Sequence, residues 1–79
     1  MELRLLNTIR DLYNYGPHKA EVLQEPLNNY YSNHDSFDHL LDVASELCKE
    51  LIDDNNMYAE FCRQLLQDIQ TFKGGDENV

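Results

Sequence analysis

Three groups of side chains in this 79-residue chain have types and spacings that could do chemistry. The first is Asp38, Asp42, Glu46, Glu50 and Asp54, which recur at every fourth position. On a helix these acids form a like-charged ladder that winds slowly around the axis. Each same-sign neighbour at this spacing costs roughly 0.2–0.5 kcal/mol of helix stability. A chain shaped only for folding would alternate the signs, so the ladder points to electrostatic docking on a basic partner. Between Asp35 and Asp54 stand seven acids and one base, Lys49, which is −6 of the chain's net −9. The competing reading is a solvated face that keeps a small protein in solution. Successive rungs lie about 6 Å apart along a helix axis, whereas duplex DNA carries one charge per ~1.7 Å. A basic protein face therefore fits the ladder better than mimicry of nucleic acid does.

The second group is Cys48 and Cys62, whose chemistry would be thiol–disulfide exchange if they meet across two helices. Buried and inert core thiols are the alternative. The third is His34, Asp35, Asp38, His39 and Asp42, a cluster with the right donor types for a metal. A structural zinc site takes four protein ligands and a catalytic one three, and His18, the remaining histidine, is isolated. Capping of a helix start accounts for these aspartates, so no metal is expected. Five of the eight aromatics are Tyr, a residue that sits where one end is dry and the other wet. Tyr30 and Tyr31 are neighbours that cannot both point inward on a helix, which makes them candidates for a partner contact or a homodimer contact. There is no Gly-rich phosphate loop, nucleophile elbow, metalloprotease helix or triad-like arrangement, so the chain does not read as an enzyme.

Four helical segments would position these residues. Leu5, Leu6, Ile9, Leu12 and Tyr13 predict a helix over residues 2–14, ended by Gly16 in a left-handed cap and by Pro17. Residues 18–32 carry Ala20, Leu23, Leu27 and Tyr30 or Tyr31 at weaker helical spacing, and Pro26 predicts a kink or two short pieces. Asp35 or Ser32 is placed to cap a third helix, in which Phe37, Leu40, Leu41, Ala44, Leu47, Cys48 and Leu51 make one apolar stripe. Residues 53–56, Asp-Asp-Asn-Asn, form a polar turn able to cap the next helix. That helix, about residues 57–72, would bury Tyr58, Phe61, Cys62, Leu65, Leu66, Ile69 and Phe72, with Lys73 and Gly74 closing it. The short turn makes the last two helices an antiparallel αα-hairpin with Cys48 opposite Cys62. The expected fold is all-α: a small bundle of three to four helices in one domain over residues 1–73, with 74–79 a disordered tail.

Composition bounds the rest. The hydrophobic share is 42%, which suffices for one small core. Three Gly and two Pro leave little for the tight turns of a β fold. No apolar run approaches the ~20 residues of a membrane span, and no charged segment followed by an apolar one marks a secretory signal. Two cysteines are too few for a disulfide framework. These features lead to the expectation of a cytoplasmic protein with reduced thiols. The net −9 disfavours nucleic acid and anionic membranes as direct partners.

The run Asp35-Ser36-Phe37-Asp38 resembles the Asp-Ser-Leu attachment motif of acyl carrier proteins, in which the Ser opens an acidic recognition helix. Length, acidity, the helical pattern and the mid-chain Ser36 are also similar to that family. Glu21-Val22 stands about where the family often has a similar pair. The resemblance implies Ser36 as the attachment residue for phosphopantetheine, with Asp38, Asp42 and Glu46 facing basic partner enzymes. Around the motif the chain differs: Ser32-Asn33-His34 replaces the usual Leu-Gly, and Leu41-Asp42 the usual Glu-Leu.

The residues themselves lead first to a small acidic protein-binding module, an inhibitor or regulator of the antitoxin, immunity or phage-regulator kind. It would dock the acids of the third helix, and Tyr30 and Tyr31, on a basic partner without any cofactor. A carrier protein modified on Ser36 and a self-associating structural subunit are the alternatives.

Overall fold

A computed structural model of the chain describes residues 2–33 and 36–74. They form α1 (Glu2–Tyr15), a 3-10 helix (His18–Leu23), α2 (Gln24–Ser32), α3 (Phe37–Asp53) and α4 (Ala59–Gly74). The fold is the all-α bundle that the periodicity predicts, with no strand among the described residues. The most extensive packing is between α3 and α4, which make the antiparallel αα-hairpin. The 3-10 helix and α2 cover the other side of α3, and α1 crosses onto α4 and the 3-10 helix. Residues 75–79, most of the expected tail, lie outside the described residues, while Gly74 is the last residue of α4.

The helix ends show what the local sequence does. α1 buries Leu5, Leu6, Ile9 and Leu12 and stops at Tyr15. Gly16 is not in the left-handed region expected for it. Its role is steric: a Cβ at this position would stand 2.3 Å from the Leu12 carbonyl oxygen, which the Gly16 N–H already uses at 2.9 Å. Residues 18–32 are two short pieces, as the proline predicts, and the change from 3-10 to α falls at Leu23–Gln24. Pro26 is the third residue of α2, where the backbone N–H has no partner to lose and a proline ring is tolerated.

The α3–α4 turn is a Schellman motif. Asn55 has a positive φ of 53°, its N–H donates to the Ile52 carbonyl at 3.0 Å, and the Asn56 N–H donates to Leu51 at 3.1 Å. The Asn56 side chain then accepts the Tyr58 N–H at 2.9 Å, the turn capping expected of this polar run. The start of α3 departs from expectation. Ser32 ends α2 instead of capping α3, and Asp35 lies outside the described residues. Ser36 holds the cap position, but its hydroxyl donates backward to the Asn33 carbonyl at 2.8 Å and caps nothing ahead.

The core is one cluster drawn from every element: Leu5, Ile9 and Leu12 of α1, Ala20 and Leu23 of the 3-10 helix, Leu27 and Tyr30 of α2, the seven stripe residues of α3, and Cys62, Leu65 and Ile69 of α4. Among the described residues no charged side chain is buried. A chain of aromatic rings closes one side of it, with Tyr30–Phe37 centroids 5.2 Å apart and Phe37–Phe72 edge-to-face at 5.6 Å. One stripe residue of α4 is misplaced by the sequence reading: Phe61 is 39% exposed. It stands one position before Cys62, hence about 100° around the helix from the buried line.

Candidate docking surfaces

With the interior given over to apolar side chains, the chemistry of the described residues lies on the surface. The acidic ladder is where the sequence puts it. Asp38, Asp42, Glu46 and Glu50 are exposed on α3, and Asp54 is its exposed C-cap. It is not a single face, however. A four-residue step advances about 40° around a helix, so five rungs sweep roughly 160°. The sweep crosses the outer side of α3 diagonally, from the α4 edge to the edge of the 3-10 helix.

Its margins are pinned at both edges. Asp42 accepts a hydrogen bond from Lys73 near the end of α4. That bond, then the Lys73 charge, holds the Asp42 carboxyl below its ordinary value, and His39 adds to the effect. At the other end Asp54 accepts from Lys19 at 2.6 Å, and the lysine is pushed above its ordinary value by that bond, by the Asp54 charge and by Glu50. Glu46 meets Lys49 one turn on at 3.5 Å. Both edge pairs are about half exposed, so solvent screens them and each adds little stability. Their effect is on pattern. Asp38 and Glu50 make no ion pair among the described residues, and neither does Asp53, which falls on the same outer side.

The same accounting across the molecule is one-sided. Lys19, Lys49, Arg63, Lys73 and, at 3.9 Å, Arg4 are each in an ion pair within the chain. Among the six Lys and Arg only Arg10 is in none among the described residues. Among the described residues that leaves Arg10 alone to answer the remaining acids.

The two tyrosines proposed for a partner separate. Tyr31 is 52% exposed and sits edge-on to Tyr30 at 5.8 Å. Tyr30 is a core residue, 6% exposed, and its hydroxyl donates to Glu2 at 2.9 Å. It leaves little surface to a partner, because Phe37 and α1 enclose it. Cys48 and Cys62 do face each other across the hairpin as free thiols. Both are fully buried. Burial pushes both thiols up, Cys48 most, with the facing Cys62 sulfur adding to that. A thiol so placed yields almost no thiolate, the form that reacts. Of the His–Asp cluster, His34 and Asp35 lie outside the described residues, and the described ones bring no three metal-ligating groups together. Ser36 is half-buried at the head of α3.

Where α1 ends and α4 begins, Leu12, Tyr15, Gly16, Tyr58 and Phe61 line an open groove of about 250 Å³, with Asp11 at its side. The Tyr58 hydroxyl donates to the Tyr15 carbonyl at 3.3 Å and ties the two walls together. Tyr15 is 77% exposed and Met57, next to Tyr58 in the chain, 86%. The sequence signal for this groove is the off-stripe phase of Phe61. No helix of the described residues is long and apolar enough to cross a membrane.

No protein-family model, curated protein or solved structure matches this chain.

Proposed function

We propose that this chain is a non-enzymatic protein-binding module, of the inhibitor or regulator kind, that docks the outer side of α3 on a basic partner surface. The observation that carries the reading is that nearly all of its cations are already paired. Five of the six Lys and Arg are held in ion pairs inside the molecule, while Asp38, Glu50 and Asp53 on α3 have none among the described residues. Fields of one sign on a small protein steer association and raise on-rates. The paired edges, Asp42–Lys73 and Asp54–Lys19, use up those two acids and leave the middle of the outer side of α3 to a partner. No cofactor enters this mechanism, and a cytoplasmic setting suits the two free thiols.

The test is affinity capture from the native host at low and high salt, with wild type beside the triple variant Glu46→Lys, Glu50→Lys, Asp53→Lys. These three positions are exposed, so the variant keeps its fold, which circular dichroism checks. A specific partner released by rising salt and lost in the variant is the expected result. Unchanged capture by the variant ends this reading.

The carrier reading retains one supporting observation, the place of Ser36 at the head of the acidic helix with part of its surface open. Incubation with a phosphopantetheinyl transferase and coenzyme A, read by mass spectrometry, decides it. A mass gain lost in Ser36→Ala supports it, and no gain removes it.

A further inference from the structure

The groove between the end of α1 and the start of α4 has the build of an anchor site. At about 250 Å³ it falls below the usual range for small-molecule pockets, roughly 300–1,000 Å³, and suits one bulky side chain. Its walls are preformed, because the Tyr58 hydroxyl is bonded to the Tyr15 backbone and Gly16 packs directly on Leu12. A preformed site spares the ordering cost of binding. Tyr15 and Phe61 present ring surface to solvent, and aromatic residues of this kind dominate the energetics of interfaces.

We propose that this groove takes an apolar anchor side chain from a basic segment of the partner, with a Lys or Arg next to that anchor meeting Asp11. The proposal rests on the protein-binding reading and adds to it a second contact, between α1 and α4. Charge selects the occupant. Asp11 lines the groove, is exposed, and makes no ion pair among the described residues. The aromatic walls also favour a cation laid over their faces. A second copy of this chain would bring another −9 to the contact, which opposes self-association there.

The test is NMR titration of the 15N-labelled full chain with a basic amphipathic probe peptide, Leu and Lys at helical spacing over about four turns. A control peptide has each Leu replaced by Ser with every Lys kept. Amide shifts at Tyr15, Gly16, Tyr58 and Phe61 are expected with the Leu peptide and not with the Ser peptide. Phe61→Ser and Tyr15→Ser, both at exposed positions, should each weaken the Leu peptide about tenfold. Asp11→Asn should weaken it a few-fold and reduce its salt dependence. Shifts confined to α3, or an affinity unmoved by Phe61→Ser, overturn the groove assignment and leave the α3 reading standing. Groove binding that persists at full strength in the Glu46, Glu50, Asp53→Lys variant counts instead against the α3 reading. Groove shifts that grow with protein concentration in the absence of peptide make a second copy the occupant and overturn the proposal.

Discussion

Gly16→Ala and Gly74→Ala are the same change at two helix ends, and the structure gives them opposite outcomes. At Gly16 the added methyl meets the Leu12 carbonyl oxygen at 2.3 Å and the Leu12 Cδ1 at 2.9 Å. Side-chain carbon can turn away, but the backbone oxygen cannot, because it is the acceptor that ends α1. Relief requires a shift of most of an ångström in the chain entering Pro17. Overfilling of this kind costs about 1–3 kcal/mol. The unfolded chain gives back about 0.4–1 kcal/mol through its lost glycine freedom. The net loss is about 1–2 kcal/mol, and for a domain this size that lowers Tm by roughly 5–15 °C. At Gly74 nothing lies within 4 Å of the new Cβ. Alanine there ends α4 at no steric cost and gains a fraction of the ~1 kcal/mol helix preference over glycine. Thermal denaturation followed by circular dichroism, with both variants beside wild type, reads the contrast. A Gly16→Ala protein that melts at or above the wild-type temperature refutes the steric account of this turn.

Three further outcomes follow from the same geometry. Asn55→Gly should raise stability by about 0.5–1 kcal/mol, since Asn55 holds a positive φ in the Schellman turn that glycine adopts freely; a lower midpoint in urea denaturation contradicts this. The Asp42 carboxyl titrates below its ordinary 3.8 because of the Lys73 hydrogen bond and charge. Its depressed value means that the pair's stabilisation is present above the unfolded value and is lost as pH falls through the folded one. The Tm gap between wild type and Lys73→Met should therefore shrink as pH drops below 3.8, and a gap that widens there reverses the sign assigned here. Cys48 and Cys62 should resist iodoacetamide in the folded protein and react once it is unfolded in denaturant, as mass spectrometry will show; rapid modification of the native chain contradicts their burial.

The apolar spacing of this chain determined much by itself. A stripe such as Phe37, Leu40, Leu41, Ala44, Leu47, Cys48 and Leu51 can be buried only as one side of a helix, because local geometry repeats every 3.6 residues. The polar run at 53–56 sits too close to both stripes for anything but a hairpin, and so Cys48 had to meet Cys62. The exposed position of the acidic ladder follows from the same phase. Each of these is a property of one segment or of two joined by a short turn.

What tertiary structure decided is which surfaces are left over and which charges are used up. Lys73 reaches Asp42 across 31 positions and Lys19 reaches Asp54 across 35, so spacing within α3 could not show that the ladder's edges are paired. Tyr30 and Tyr31 are alike in sequence, and only the packing of Phe37 and α1 against α2 makes one core and the other surface. Gly16 looks like any helix-ending glycine until the path of the chain leaves a Cβ no room beside the Leu12 carbonyl. The groove exists only because α1 stops where α4 starts, which places Tyr15 beside Tyr58 and Phe61. Helical phase tells where a side chain points, but what it meets there depends on a neighbour whose position is set by the whole core.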